Sequence, residues 1–104
     1  MLPDPTGMAH QVPEIIVQQL GNRTLQMLGA RDLMGTEKSL TLKVGRNAKS
    51  VSHLRITLEP SDTYKVEAIR VRKLTVKVLE TREDVYCDSL HQVIETLTGM
   101  YTRL

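Results

Sequence analysis

Residues 40 to 58 read LTLKVGRNAKSVSHLRITL. Leu40, Leu42 and Val44 alternate with Thr41 and Lys43, and Leu54, Ile56 and Leu58 alternate with Arg55 and Thr57. Successive side chains of a strand point to opposite faces, so each run predicts a strand with one buried face and one wet face. Residues 45–50, between the runs, carry Gly, Asn and Ser and read as a loop. The same alternation returns in Tyr64, Val66 and Ala68, and again in Leu74, Val76 and Val78 around Thr75 and Lys77. Glu59-Pro60-Ser61-Asp62 is a turn sequence. After Ala68 the phase slips, because Ile69 and Val71 lie on the other parity, which predicts a bulge or strand end near Ile69. The link to the last strand then falls within Arg70 to Lys73. Four strands with short links imply an antiparallel meander, since parallel pairs need long crossovers.

Both flanks change to a helical period. Pro13 and Glu14 suit a first turn, and Val12, Ile16 and Leu20 share one face. Gly21 either stops this helix or kinks it before a second piece, capped by Asn22, that carries Leu25, Met27 and Leu28 and ends at Gly29. Residues 30–36 read as a loop. Near the other end Asp88 is the expected cap, Leu90, Val93, Ile94 and Leu97 form one apolar stripe, and Gly99 is the stop, with Met100, Tyr101 and Leu104 extending the apolar surface. Residues 1–11, broken by Pro3, Pro5 and Gly7, read as a flexible tail before a single domain over 12–104.

An amphipathic sheet needs a cover, and the terminal helices supply it. The expected fold is therefore α+β and two-layered: a four-stranded antiparallel sheet with the N-terminal helical segments and the C-terminal helix on one face. Leu42, Leu54, Ile56, Val66, Val76, Val93, Ile94 and Leu97 are the expected core. The open face is expected to show Thr41, Lys43, Arg55, Thr57, Lys65, Glu67, Thr75 and Lys77. Its two edges invite a homodimer, through an edge strand or through apolar surface at Ile69, Val71 and Leu79.

The chain has 104 residues, 40% hydrophobic and 25% charged, which fits one globular domain rather than a disordered segment. No apolar run approaches the ~20 residues of a membrane helix, and the start lacks the pattern of a signal peptide. The single Cys87 cannot close an internal disulfide or supply a Cys-rich zinc site, so a reducing, cytoplasmic setting is expected, with no cofactor and no metal. There is no Phe and no Trp, which speaks against a stacking platform for single-stranded nucleic acid.

Charge is segregated. Residues 37–77 hold ten basic side chains against four acidic ones, whereas the net charge of the whole chain is +2. The candidate contact residues are Lys43, Arg46, Lys49, Arg55, Lys65, Arg70, Arg72, Lys73 and Lys77, offered to phosphates or to an acidic protein surface. The competing reading is a solvated sheet face on which Lys and Thr discourage aggregation. Cys87 and His91 stand four apart at the expected helix start, with Glu95 a turn further on, a spacing compatible with a thiolate–imidazole pair. No oxyanion-hole motif or clustered third ligand accompanies them, and a buried or capping role is the simpler reading. His10 and His53 are isolated. No catalytic residue is assigned.

The segments Gln19-Leu20-Gly21-Asn22-Arg23, Met27-Leu28-Gly29-Ala30, Asp62-Thr63-Tyr64, Val85-Tyr86-Cys87-Asp88 and Thr98-Gly99-Met100-Tyr101-Thr102 are similar to those of an uncharacterised family of small phage and mobile-element proteins. The resemblance spans roughly residues 14–104 and implies phage-type genetic surroundings, with no activity or site attached. Together with the small size and the lack of catalytic motifs, it implies a non-enzymatic protein that binds a host or phage macromolecule, for example an inhibitor of a host defence complex such as a CRISPR effector or a nuclease. The alternative is a nucleic-acid-binding module that uses the basic sheet face.

Overall fold

The computed structural model describes residues 11–100. Within them the chain forms α1 (Gln11–Leu28), β1 (Arg31–Gly35), β2 (Ser39–Lys43), β3 (His53–Leu58), β4 (Tyr64–Arg72), β5 (Thr75–Val85), a 3-10 turn (Cys87–Ser89) and α2 (Leu90–Thr98). The tail expected over 1–11 lies outside the described residues except for Gln11, which opens α1; Tyr101 and Leu104 also lie outside them.

All five strands pair antiparallel with their sequence neighbours, in the order β1-β2-β3-β4-β5. The α+β class is as expected, but the sheet has five strands rather than four. The extra one is β1, in the stretch expected to be a loop. Every residue of β1 is exposed, so no side-chain alternation betrays it. It is held by backbone pairing to β2, and its register slips between Arg31 and Met34, around Asp32 at φ 54.

α1 bends at Gly21, whose φ of 82 and ψ of 157 no helix contains. The second arm ends in a Schellman motif: Ala30 N–H donates to Leu25 C=O at 2.9 Å and Gly29 N–H to Gln26 C=O at 3.0 Å. Gly29, at φ 64, also lies against Gly45, whose N–H donates to Leu28 C=O at 2.8 Å. That contact anchors the helix end to the start of the β2–β3 loop. α2 ends at Gly99 as expected, with φ 72. Its start differs from expectation: Asp88 sits in the 3-10 turn, and no side chain caps either segment.

Helix α1 packs on β1 and β2, and α2 packs on β4 and β5. Ile16, Leu20, Leu90, Ile94 and Leu97 from the helices join Leu40, Leu42, Leu54, Ile56, Val66 and Ala68 from the sheet in one core. Of the expected core, Leu42, Leu54, Ile56, Val66, Ile94 and Leu97 are buried and Val93 is partly buried. Val76 is not: it is 68% exposed, with Leu74, Val78 and Val71 also exposed. The pairing explains why. β3 reaches only Ile69 on β4, and beyond it β4 and β5 continue alone, pairing Arg70 with Lys77, Val71 with Val76 and Arg72 with Thr75.

The phase slip near Ile69 is real, but the additional residue is Leu79 on β5 rather than one on β4. β4 keeps its alternation, so Ile69 falls on the open face opposite His53 and Val78, where it is 4% exposed and separate from the main core. The apolar surface expected at Ile69, Val71 and Leu79 is therefore replaced by Val71, Leu74, Val76 and Val78.

Tyr64 ties the layers together. It is buried, and its hydroxyl donates to Gln19 Oε1 at 2.8 Å. Burial raises its pKa above the ordinary 10.0, the nearby Cys87 adds to the rise, and the Gln19 bond partly opposes it. A raised folded pKa means stability that is fully present below about pH 10 and is lost as pH rises through that region. The urea midpoint should thus fall faster above about pH 10 in the wild type than in Tyr64→Phe. A difference between the two proteins that stays constant from pH 8 to about pH 11 would refute this role for the hydroxyl.

Candidate basic cleft

The nine candidate cations divide into two groups. Lys43, Arg55 and Lys65 lie on the open face, opposite His53, Glu67 and Thr57 respectively. Arg55 is already paired there: its Nε donates to Glu67 Oε1 at 2.9 Å and its Nη2 to Oε2 at 3.4 Å. Glu67 exposes only 14% of its side chain, so this cross-strand pair neutralises the centre of the expected basic face. Lys77 does not join the group. The bulge at Leu79 turns Lys77 and Thr75 to the side of Arg70 and Arg72, so these two positions depart from the open face expected for them.

The second group gathers where the β2–β3 loop meets the β4–β5 hairpin. Arg46, Arg70 and Arg72 line one open cavity of ≈ 450 Å³, together with Asn47, Ser50 and Ser52. Among the described residues no carboxylate lines it. Lys77 stands across from Arg70, and Lys73 occupies the hairpin turn. Lys49 is exposed on the loop, its stem against Gly99 at the end of α2. The two ion pairs among the described residues, Arg55–Glu67 and Arg82–Glu80, use none of these cations.

The loop owes its shape to Asn47. Its Nδ2 donates to Gly45 C=O at 2.9 Å and Val51 C=O at 2.7 Å, while Oδ1 accepts from Val51 N–H at 3.0 Å and Lys49 N–H at 3.2 Å. One side chain thus replaces the ladder partners that the loop backbone lacks. Ser52 joins loop to hairpin: its backbone N–H donates to Ile69 C=O at 2.9 Å, and its Oγ accepts from Val71 N–H at 2.8 Å. Arg70 Nε donates to Ser50 C=O at 3.3 Å. These contacts hold the loop that carries Arg46 against the strand that carries Arg70. Asn47 and Ser52 were not expected as organising residues; the signal for the first was an Asn inside a Gly-started loop, and for the second there was none.

The structure shows no hydrogen bond between Cys87 and His91 among the described residues. Cys87 is exposed in the 3-10 turn, outside α2. His91 faces the other helix, and its Nε2–H donates to Leu20 C=O at 3.0 Å, a bond that joins α2 to the first arm of α1. No group of three or more His, Cys, Asp or Glu suited to a metal occurs among the described residues. No helix among them is long and apolar enough to cross a membrane.

No protein-family model, curated protein or solved structure matches this chain.

Proposed function

We propose that this chain is a non-enzymatic binding protein that takes the phosphate backbone of a nucleic acid into the cleft of Arg46, Arg70 and Arg72. The observation that carries the reading is the convergence of three arginines on one cavity that no carboxylate among the described residues lines. Guanidinium forks match phosphate geometry and form charge-assisted hydrogen bonds about twice as strong as neutral ones. Lys73 and Lys77 extend the same field along the hairpin. A duplex suits this surface better than a single strand, because among the described residues no aromatic ring lines the cleft for a base to stack on.

The test is binding of a labelled duplex at increasing salt. Five cations on one surface should give a log Kd that changes linearly with log salt, at about 0.9 per phosphate neutralised. Absence of binding at low salt would sink the proposal. In the phage-type setting implied by the resemblance, occupying nucleic acid in this way would serve to inhibit a host defence complex. That role is tested by pull-down from infected and uninfected lysates with and without nuclease treatment; capture that survives nuclease would favour direct protein contact.

A further inference from the structure

We infer that the outer half of the β4–β5 hairpin is a duplex-inserting arm, with Leu74 as a wedge that enters between adjacent base pairs while the cations beside it hold the flanking phosphates. The inference rests on the phosphate-binding reading above and adds the mode of engagement. Past Ile69 the two strands leave β3 and run on as a two-stranded ribbon. Lys73 and Leu74 form its turn, with Lys73 at φ 51, the positive φ that lets a two-residue loop follow the twist of its strands. Leu74 is fully exposed at the tip. Residues 69–78 hold Arg70, Arg72, Lys73 and Lys77 and no acidic residue.

An apolar side chain at the tip of a cationic ribbon is the combination used to unstack a base step. The wedge pries the step open from the minor groove, the duplex kinks, and the bend brings more backbone against the protein. The cleft at the ribbon's base, with Arg46, is placed to receive that additional backbone. A second copy of this chain is the other occupant to weigh, seated on Val71, Val76 and Val78. Charge argues against it. These valines lie on the ribbon face opposite Arg70, Arg72 and Lys77, so a second copy seated on them would leave the ribbon's cations unmatched, whereas a duplex engages them.

The experiment is a titration of a duplex of about 30 base pairs, labelled at both ends, reading binding by anisotropy and end-to-end distance by energy transfer in the same samples. The wild type should shorten the end-to-end distance at saturation, by a kink of about 20–90°. Leu74→Ala, a change at a fully exposed position, should still bind, with a salt slope lower by about one unit for the backbone contact that the bend supplies at Arg46, and leave the duplex straight. Equal bending by Leu74→Ala would overturn the wedge. Binding without bending by the wild type would overturn the inserting arm and leave the phosphate reading standing, whereas no binding would remove both. Self-association in sedimentation that is abolished in Leu74→Ala, with an unbent duplex, would assign the arm to a second copy instead.

Discussion

Ile56→Ala is expected to destabilise the fold by about 2–5 kcal/mol, the range for removing a buried aliphatic side chain down to its Cβ. Ile56 is 0% exposed. It sits mid-sheet on β3, with Leu40 beside it on β2 and Val66 on β4, under the helices. The whole domain is expected to be held by only about 5–15 kcal/mol, so this one change removes a large share. Val76→Ala removes a comparable amount of hydrocarbon, yet is expected to cost no more than about 0.5 kcal/mol, because Val76 is already in water. Urea denaturation of the two variants side by side decides the matter. A loss at Ile56 below about 1 kcal/mol, or a larger loss at Val76 than at Ile56, would mean that the buried face of the sheet has been misassigned.

The two residues look alike in sequence, and the contrast marks what alternation can and cannot reveal. Period-two patterning reports which face a side chain takes, not whether another layer covers that face. Leu54-Arg55-Ile56 lies under the helices; Leu74-Thr75-Val76 has the same pattern on a ribbon that outruns them. The bulge at Leu79 adds to this, because it reverses the parity of everything outside it on β5. Lys77 therefore leaves the open face, and four valines and leucines of the ribbon remain exposed. β1 was illegible for the opposite reason: its five exposed residues carry no pattern, and its partner strand supplies the hydrogen bonds that hold it. Helix ends were easier. Gly29 and Gly99 hold the positive φ that closes each helix, a demand local enough to be written in one residue. The cleft was half legible. Its cations stood out as a basic stretch, but their division into a face with Arg55 neutralised at its centre and a cleft whose cations join no ion pair among the described residues depends on Glu67 lying opposite Arg55 and on Ser52 tying the loop to β4.

That division sets up the largest functional effect. Arg46→Glu with Arg72→Glu should weaken duplex binding at low salt by at least about a hundredfold. Two charge-assisted hydrogen bonds at about 1.5–3 kcal/mol each are removed, and two repulsive carboxylates are added. The salt slope should fall by about two units, one for each phosphate that is no longer neutralised. Both side chains are exposed and belong to no ion pair among the described residues, so the fold should survive, which circular dichroism and the urea midpoint can verify. Lys43→Glu with Lys65→Glu on the open face is the matched control, with the same change in net charge. If a local site does the binding, the control, read at about 0.15 M salt where the Debye length is about 8 Å, should weaken it by less than about tenfold and leave the slope within about half a unit, because Lys43 and Lys65 lie on the sheet face opposite Arg70 and Arg72. Equal losses in the two double variants would show that the duplex responds to the net charge of the domain and not to the cleft. A larger loss in the control would return the contact to the sheet face, the surface on which strand alternation places Lys43 and Lys65.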